Sequence, residues 1–159
     1  GEIDQLMDLE IDPSKIIYAN PVKFRSHIRH AASVGVHLMT FDCYKELLKI
    51  SECDPEARLV VRIRPVCESN VYESLGNKFG CSVEEACRLV RKARDLKLTV
   101  EGVSFHVGYA CTDPTCFTYA IEAASRVFTE VSRIGVKMTL LDIGGGYPGS
   151  TVTKDILRD

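Results

Sequence analysis

The stretch LLDIGGGYPG, residues 140–149, says most about the fold of this chain. An apolar segment typical of a strand leads directly into three consecutive glycines, Gly144, Gly145 and Gly146. Glycine has no Cβ and reaches positive φ angles, so successive backbone N–H groups can converge on one anion. The motif therefore predicts either a loop that holds a phosphate group or a tight turn without a ligand.

The same order of elements, an apolar strand followed by a loop and an amphipathic helix, recurs along the chain. Strands are predicted at residues 16–19, 36–41, 59–63, 100–107 and 138–143. Helices are predicted at residues 24–34 and 44–50, after the capping box of Ser82 and Glu85, and after Asp113 and Pro114. The buried stripe predicted for the last of these helices consists of Phe117, Ala120, Ile121, Ala124, Val127, Phe128 and Val131. Strict alternation predicts a parallel α/β sheet, because each strand is reached through a helical crossover.

Two architectures fit such a sheet, a doubly wound open sheet and a (β/α)8 barrel. Polar residues lie at the C-terminal ends of the predicted strands, and in both architectures ligands bind at that edge. These residues are Asn20, Asp42, Arg62, His106 and Asp142. Because about five strands cannot close an eight-stranded barrel, a barrel would need further strands outside these residues.

Composition is typical of a globular domain that binds a small molecule. The 159 residues suffice for one core, and 45% hydrophobic residues, 26% charged residues and a net charge of −2 are ordinary values. No basic stripe with aromatic residues predicts nucleic-acid binding, and no apolar run approaches the roughly 20 residues of a membrane helix. The acidic N-terminal segment does not resemble a signal peptide, so we expect a cytoplasmic protein. Seven cysteines without a CxxC pair predict reduced thiols and no metal site.

Seven segments in order resemble the central part of the barrel of the eukaryotic ornithine decarboxylase family, and together they extend over nearly the whole chain. They are IIYANPVK, HLMTFD, LVVRI, KFG, GVSFHVG, CTDP and LLDIGGGYPG. This family of pyridoxal-phosphate enzymes has an alanine-racemase-like barrel and includes the antizyme inhibitors. The resemblance implies that residues 1–159 form part of a TIM-type (β/α)8 barrel. The N-terminal strands and a C-terminal β-domain would lie outside them.

The resemblance also implies roles for individual residues. His106 matches a histidine that stacks on the pyridoxal ring, and it is the candidate catalytic residue. Arg62 and Glu2 match residues beside the cofactor, while the three glycines match its phosphate loop. Tyr109 stands where active relatives have a serine that touches the cofactor. No residue of this chain matches the Schiff-base lysine or the catalytic cysteine of the family.

The implied activity of the full-length protein is decarboxylation of L-ornithine to putrescine in polyamine biosynthesis, with this chain alone inactive. Two alternatives stay open: a catalytically inactive homologue like the antizyme inhibitors, which Tyr109 favours, and a decarboxylase of another basic amino acid. The antizyme-binding surface of the family matches about Arg25 to Leu48, where Arg25, His27, Arg29 and His30 would form a basic face. Asp42 and Lys78 match residues that form salt bridges across a homodimer, so a homodimer is expected.

Overall fold

The computed structural model describes residues 1–65, 78–108, 111, 113–145 and 147. Within these ranges one four-stranded parallel sheet is formed by β1 (Leu38–Phe41), β2 (Arg58–Arg62), β3 (Thr99–Ser104) and β4 (Leu140–Asp142). The helices of the same ranges are α1 (Glu2–Asp8), α2 (Arg25–Ser33), α3 (Tyr44–Cys53), α4 (Val83–Asp95) and α5 (Thr115–Ser132). The prediction of a parallel α/β fold is therefore confirmed.

The order of the strands distinguishes between the two predicted architectures. Each strand pairs in parallel with the next strand along the chain, in the order β1, β2, β3, β4. A doubly wound sheet reverses its strand order at a switch point, whereas a barrel adds every strand on the same side. The topology is therefore that of consecutive β/α units of a barrel.

The two faces of the sheet differ in character. On one face, strand residues such as Phe41, Val61 and Val103 are fully buried in a core that includes Leu89 of α4 and Val127 of α5. On the other face, the register places Arg62 beside Ser104 and Ser104 beside Asp142. Side chains alternate between faces along a strand, so these polar residues project away from the helix-covered core.

Helix α4 begins and ends with the signals that its sequence predicts. The Ser82 hydroxyl accepts a hydrogen bond from the Glu85 N–H at 3.1 Å. Acidic residues occupy its first turn and basic residues its last turn, which complements the helix dipole. The buried face consists of Ala86, Cys87, Leu89, Val90 and Ala93. Capping and periodicity thus fix α4 against the sheet.

Helix α5 buries a slightly different stripe from the predicted one. Its buried residues are Cys116, Ala120, Ala124, Val127 and Val131. Ile121, predicted to be in the core, is 48% exposed. One residue rotates the direction of a side chain by about 100° around a helix, so burial of Ala120 turns Ile121 towards solvent.

The N-terminal part of the chain departs from the predicted pattern. Residues 16–19 do not form a full strand, and Tyr18 alone bridges to Met39 in parallel. Helix α1 was not predicted, although Ile3, Leu6 and Met7 follow helical spacing. These side chains pack against a small second core of Ile16, Ala31 and Val36. Helix α1 therefore packs beside α2 and covers this second core.

A buried ion pair joins the loop before α2 to β1 and α3. Lys23 Nζ lies 3.1 Å from Glu46 Oε1, and both side chains are at most 3% exposed. Lys23 Nζ also donates to the Thr40 carbonyl at 2.6 Å, and Lys49 pairs with the second oxygen of Glu46 at 2.5 Å. Burial lowers the pKa of the Lys23 amine, and the charge of Glu46 opposes that effect.

The cysteines require one correction. Cys116 is disulfide-bonded, so the expectation that every thiol is reduced is wrong. Cys43, Cys53, Cys81, Cys87 and Cys111 are free. A disulfide needs only that folding bring two Cα atoms within about 7 Å, and spacing along the sequence does not reveal this.

Candidate functional site

Polar side chains meet at the carboxyl ends of the strands, on the face away from the helix-covered core. Asp42 directly follows β1, Arg62 ends β2, and Asp142 ends β4. Ser104 ends β3, and His106 lies two residues beyond it, on the same face by strand alternation. The charges of Asp42 and Asp142 both act on Arg62, and those of Arg62 and Asp142 act on His106. The topology therefore gathers four of the five predicted polar residues into one cluster.

Arg62 is held beneath the KFG segment. Its guanidinium carbon lies 5.3 Å from the centroid of the Phe79 ring, a distance typical of a cation–π contact. The Gly80 N–H donates to Asp42 Oδ2 at 2.9 Å, which ties this segment to the end of β1. Burial lowers the pKa of the Arg62 guanidinium, and both aspartates oppose the effect. Arg62 is therefore an oriented, partly desolvated cation.

His106 presents a neutral imidazole. Its Nδ1 accepts a hydrogen bond from the Gly108 N–H at 3.0 Å. Burial lowers the pKa of the imidazole, the charge of Arg62 lowers it further, and Asp142 opposes them. A neutral ring can present its aromatic face to another planar group without bringing in a second positive charge.

The glycine loop packs directly against His106. Gly144 has a φ of +71°, and a Cβ there would lie 2.3 Å from the Phe105 carbonyl oxygen and 3.0 Å from His106 Cα. A Cβ at Gly145 would lie 3.4 Å from His106 Nε2. The Gly144 N–H donates to Asp142 Oδ1 at 2.9 Å, whereas the Gly145 N–H has no partner among the described residues.

This set of groups fits a planar ring that carries a phosphate. The loop lies so close to Phe105 and His106 that Gly144 has no room for a Cβ, the Gly145 N–H can donate to an anion, and Arg62 supplies positive charge. His106 offers a flat aromatic surface beside that loop. Among the residues that the structure describes, no cluster of three or more histidine, cysteine or acidic side chains could hold a metal ion.

The remaining predicted residues lie apart or outside the described ranges. Glu2 is exposed at the start of α1 and has no contact with His106 or Arg62 within the described chain. Lys78 is exposed and makes no ion pair in the described part of the structure. Gly146 and Tyr109 lie outside the described residues. The structure thus brings together His106, Arg62, Gly144 and Gly145.

Two residues of the cluster, Phe79 and Ser104, were missed by the sequence analysis. Phe79 covers Arg62, and Ser104 is a buried polar residue beside it. A signal for Ser104 was present, because it precedes His106 by two residues in the predicted strand 100–107 and so was expected to share its face. The arginine–aromatic contact of Phe79 depends on a loop conformation that no sequence pattern specifies.

The basic face predicted on α2 is exposed but partly neutralised. Arg25 pairs with Glu52 at 2.5 Å, and His30 lies 2.5 Å from Asp4. Arg29 is exposed without an ion pair in the described ranges. Separately, no helix among the described residues has both the length and the apolar character needed to span a bilayer.

Comparison with known proteins places this site in a family. A family model described as pyridoxal-dependent decarboxylase, pyridoxal binding domain, matches residues 1–157. An ornithine decarboxylase of Mus pahari is 46% identical over 153 residues, which are 96% of this chain and 33% of that protein. Antizyme inhibitor 2 of Xenopus laevis has the same identity and the same coverage.

Solved structures agree with the sequence comparison. The arginine decarboxylase of Paramecium bursaria Chlorella virus, bound to agmatine, is 34% identical with a TM-score of 0.91. The match covers 98% of this chain and 42% of that one. The chain thus spans about a third of the length of the curated relatives it matches. With nearly every residue matched by the family model, the chain belongs to the pyridoxal-dependent decarboxylases and forms part of their pyridoxal-binding domain.

Proposed function

We propose that a full-length protein containing this chain is a pyridoxal-phosphate-dependent decarboxylase of a basic amino acid, with L-ornithine as substrate and putrescine as product. One observation carries the proposal: the glycine loop packs against the neutral imidazole of His106, at a sheet edge that also holds Arg62. The similarity to ornithine decarboxylase supports the choice of substrate. A cytoplasmic location is part of the proposal.

When bound, pyridoxal phosphate accepts the electrons left on the substrate as its carboxylate departs. In the proposal, the Gly145 N–H binds its phosphate, and the imidazole face of His106 supports its ring. Arg62 favours anions in the site, and Phe79 shields the guanidinium from water. Asp142 keeps the loop in place through the Gly144 N–H.

The direct test uses the purified full-length protein. Cofactor binding is measured by visible absorbance during titration with pyridoxal phosphate, and carbon dioxide release is measured from L-ornithine, L-lysine and L-arginine. We expect tight cofactor binding and fastest release from L-ornithine. His106→Ala should weaken both, whereas His30→Ala, which removes an exposed imidazole on α2, should change neither. Absence of both signals in the wild-type protein would refute the proposal.

A second candidate function is regulation of polyamine synthesis by a catalytically inactive homologue that binds antizyme. The equal identity to antizyme inhibitor 2 favours it, as does Tyr109 at a position where active relatives have serine. The surface from about Arg25 to Leu48 would then bind an acidic face of antizyme. Tight antizyme binding without carbon dioxide release would support this candidate, and release from any of the three amino acids would exclude it.

We further propose that the full-length protein is a homodimer with Asp42 and Lys78 at the interface. Lys78 is exposed and lies two residues before Gly80, whose N–H is bound by Asp42. The two candidates therefore lie in one surface region. Lys78→Glu should shift the protein towards monomer in sedimentation, whereas Lys45→Glu, an exposed charge reversal on α3, should not. An unchanged dimer in the first variant would remove the assignment.

A further inference from the structure

Ser104 has an unsatisfied hydroxyl group in the middle of the polar cluster. The residue is 3% exposed, and its Oγ is the buried side-chain polar atom without a hydrogen-bond partner among the described residues. Buried hydroxyl groups in native proteins nearly always have a partner, since removing one from water without compensation is unfavourable. A molecule bound at this site would provide the hydrogen-bond partner that the Ser104 hydroxyl group lacks.

The surroundings of Ser104 indicate which molecule this is. It pairs in register with Arg62 on β2 and with Asp142 on β4, so it lies between a cation and the residue that anchors the glycine loop. It precedes His106 by two residues and shares its face of the sheet. These three neighbours of Ser104 therefore belong to the site proposed to hold pyridoxal phosphate.

The backbone of Ser104 takes part in the sheet, where the residue pairs in register with both neighbouring strands. Its carbonyl accepts from the Ile63 N–H at 2.8 Å, and Phe105 N–H donates to the Asp142 carbonyl at 3.0 Å. A structural need for this residue type is therefore absent from the described contacts. An alanine or a valine would serve the strand equally well or better.

We propose that the Ser104 hydroxyl is a cofactor-positioning group, which forms a hydrogen bond with bound pyridoxal phosphate from within the barrel. The inference rests on the proposed function, because it requires that the cofactor enter this site. It adds to that function a contact from the Ser104 side chain at the end of β3. This contact would limit sliding of the cofactor over the imidazole face of His106.

Thr40 provides a matched control. It lies two strands away on the same face, because it pairs in register with Val60, which precedes Arg62 by two residues. It is 1% exposed, and its hydroxyl already donates to the Tyr18 carbonyl at 3.5 Å. Thr40→Val and Ser104→Ala thus each remove one buried hydroxyl group from the same face of the sheet. The Thr40 hydroxyl has a hydrogen-bond partner in the protein, whereas the Ser104 hydroxyl has none among the described residues.

The experiment compares these variants in the full-length protein, with and without cofactor. Without cofactor, Ser104→Ala should keep or raise the melting temperature, because it removes an unsatisfied group, whereas Thr40→Val should lower it. In titrations with pyridoxal phosphate, Ser104→Ala should raise the dissociation constant about ten-fold, which is the effect of one buried hydrogen bond. Thr40→Val should leave that constant unchanged.

Three results would overturn the inference. A cofactor-free Ser104→Ala protein that melts as early as Thr40→Val would mean that the hydroxyl has a structural partner. Unchanged cofactor affinity in Ser104→Ala, with tight binding by the wild-type protein, would refute the contact and leave the proposed function intact. Failure of the wild-type protein to bind the cofactor would refute both. Ser104→Cys, a weaker donor of similar size, should bind with intermediate affinity if the inference holds.

Discussion

Replacement of Gly144 by alanine should disrupt the candidate site strongly. The residue has a φ of +71°, and the new Cβ would lie 2.3 Å from the Phe105 carbonyl oxygen. That oxygen belongs to backbone and cannot rotate away. The loop must therefore move, and it carries with it the N–H of Gly145 and the contact with His106.

Gly135 allows the two sources of this effect to be separated. It has a φ of +79° after α5, and a Cβ there meets nothing within 4 Å. Gly135→Ala thus carries only the penalty of a left-handed backbone, about 1 kcal/mol. Gly144→Ala carries the same penalty together with overpacking against Phe105, typically 1–3 kcal/mol, so we expect a total loss of about 3 kcal/mol.

The assay combines urea unfolding with titration by pyridoxal phosphate, both on the full-length protein. We expect a lower free energy of unfolding for both variants, with the larger loss in Gly144→Ala. Cofactor affinity should fall at least ten-fold in Gly144→Ala and should be unchanged in Gly135→Ala. Equal losses of stability, together with wild-type cofactor affinity in both variants, would refute the close packing of the loop against His106.

Three further predictions concern the groups around the site. Lys23→Met should lower the free energy of unfolding by about 3 kcal/mol in urea, because it leaves the buried Glu46 paired only with the partly exposed Lys49, and adding Glu46→Leu should recover most of that loss. Phe79→Leu should destabilise the protein by about 1 kcal/mol beyond Phe79→Tyr in thermal unfolding, since tyrosine keeps a ring over Arg62. The lowered pKa of His106 means that the unfolded chain binds a proton first as the pH falls through the ordinary value of 6.5. The wild-type protein should therefore lose more free energy of unfolding than His106→Gln on acidification from about pH 7 to about pH 5, and parallel losses would contradict the assignment.

Much of the fold could be predicted because local patterns and packing agree in it. The alternation of short apolar runs with capped amphipathic helices gave four strands and helices α2 to α5 close to their observed bounds. The choice of a barrel over a doubly wound sheet could not come from this alternation. It depends on strand order, which the periodicity of one segment does not contain, and it needed the family resemblance or the structure.

The failures have physical causes that differ from one residue to another. Residues 16–19 have the composition of a strand, yet the backbone of Tyr18 alone forms a bridge, because the chain enters from the 3₁₀ turn Pro13–Lys15 and soon reaches Pro21. Helix α1 was not predicted, although its apolar residues Ile3, Leu6 and Met7 follow helical spacing. Lys23 and Glu46 look like surface residues in the sequence, and only the tertiary structure buries them as a pair.

The candidate site was predictable to a similar degree. Strand-end positions identified Arg62 and His106, and the glycine run identified the loop, because both depend on simple rules about parallel sheets and glycine. Side-chain partners were not predictable, since they depend on distances across the sheet. The donation from Gly144 to Asp142 is an example, because it removes one N–H from the set available to an anion.

The hydrogen bond from the Gly108 N–H to His106 Nδ1 limits the part that His106 can take in proton transfer. An imidazole whose Nδ1 accepts a backbone hydrogen bond carries its own hydrogen on Nε2 while it is neutral. That ring can donate a hydrogen bond from Nε2, yet its basic lone pair on Nδ1 already accepts a hydrogen bond from the backbone and is not available to a reacting molecule. His106 is therefore held as a support for a planar group or as a hydrogen-bond donor, and any base that the full-length protein requires must be another residue.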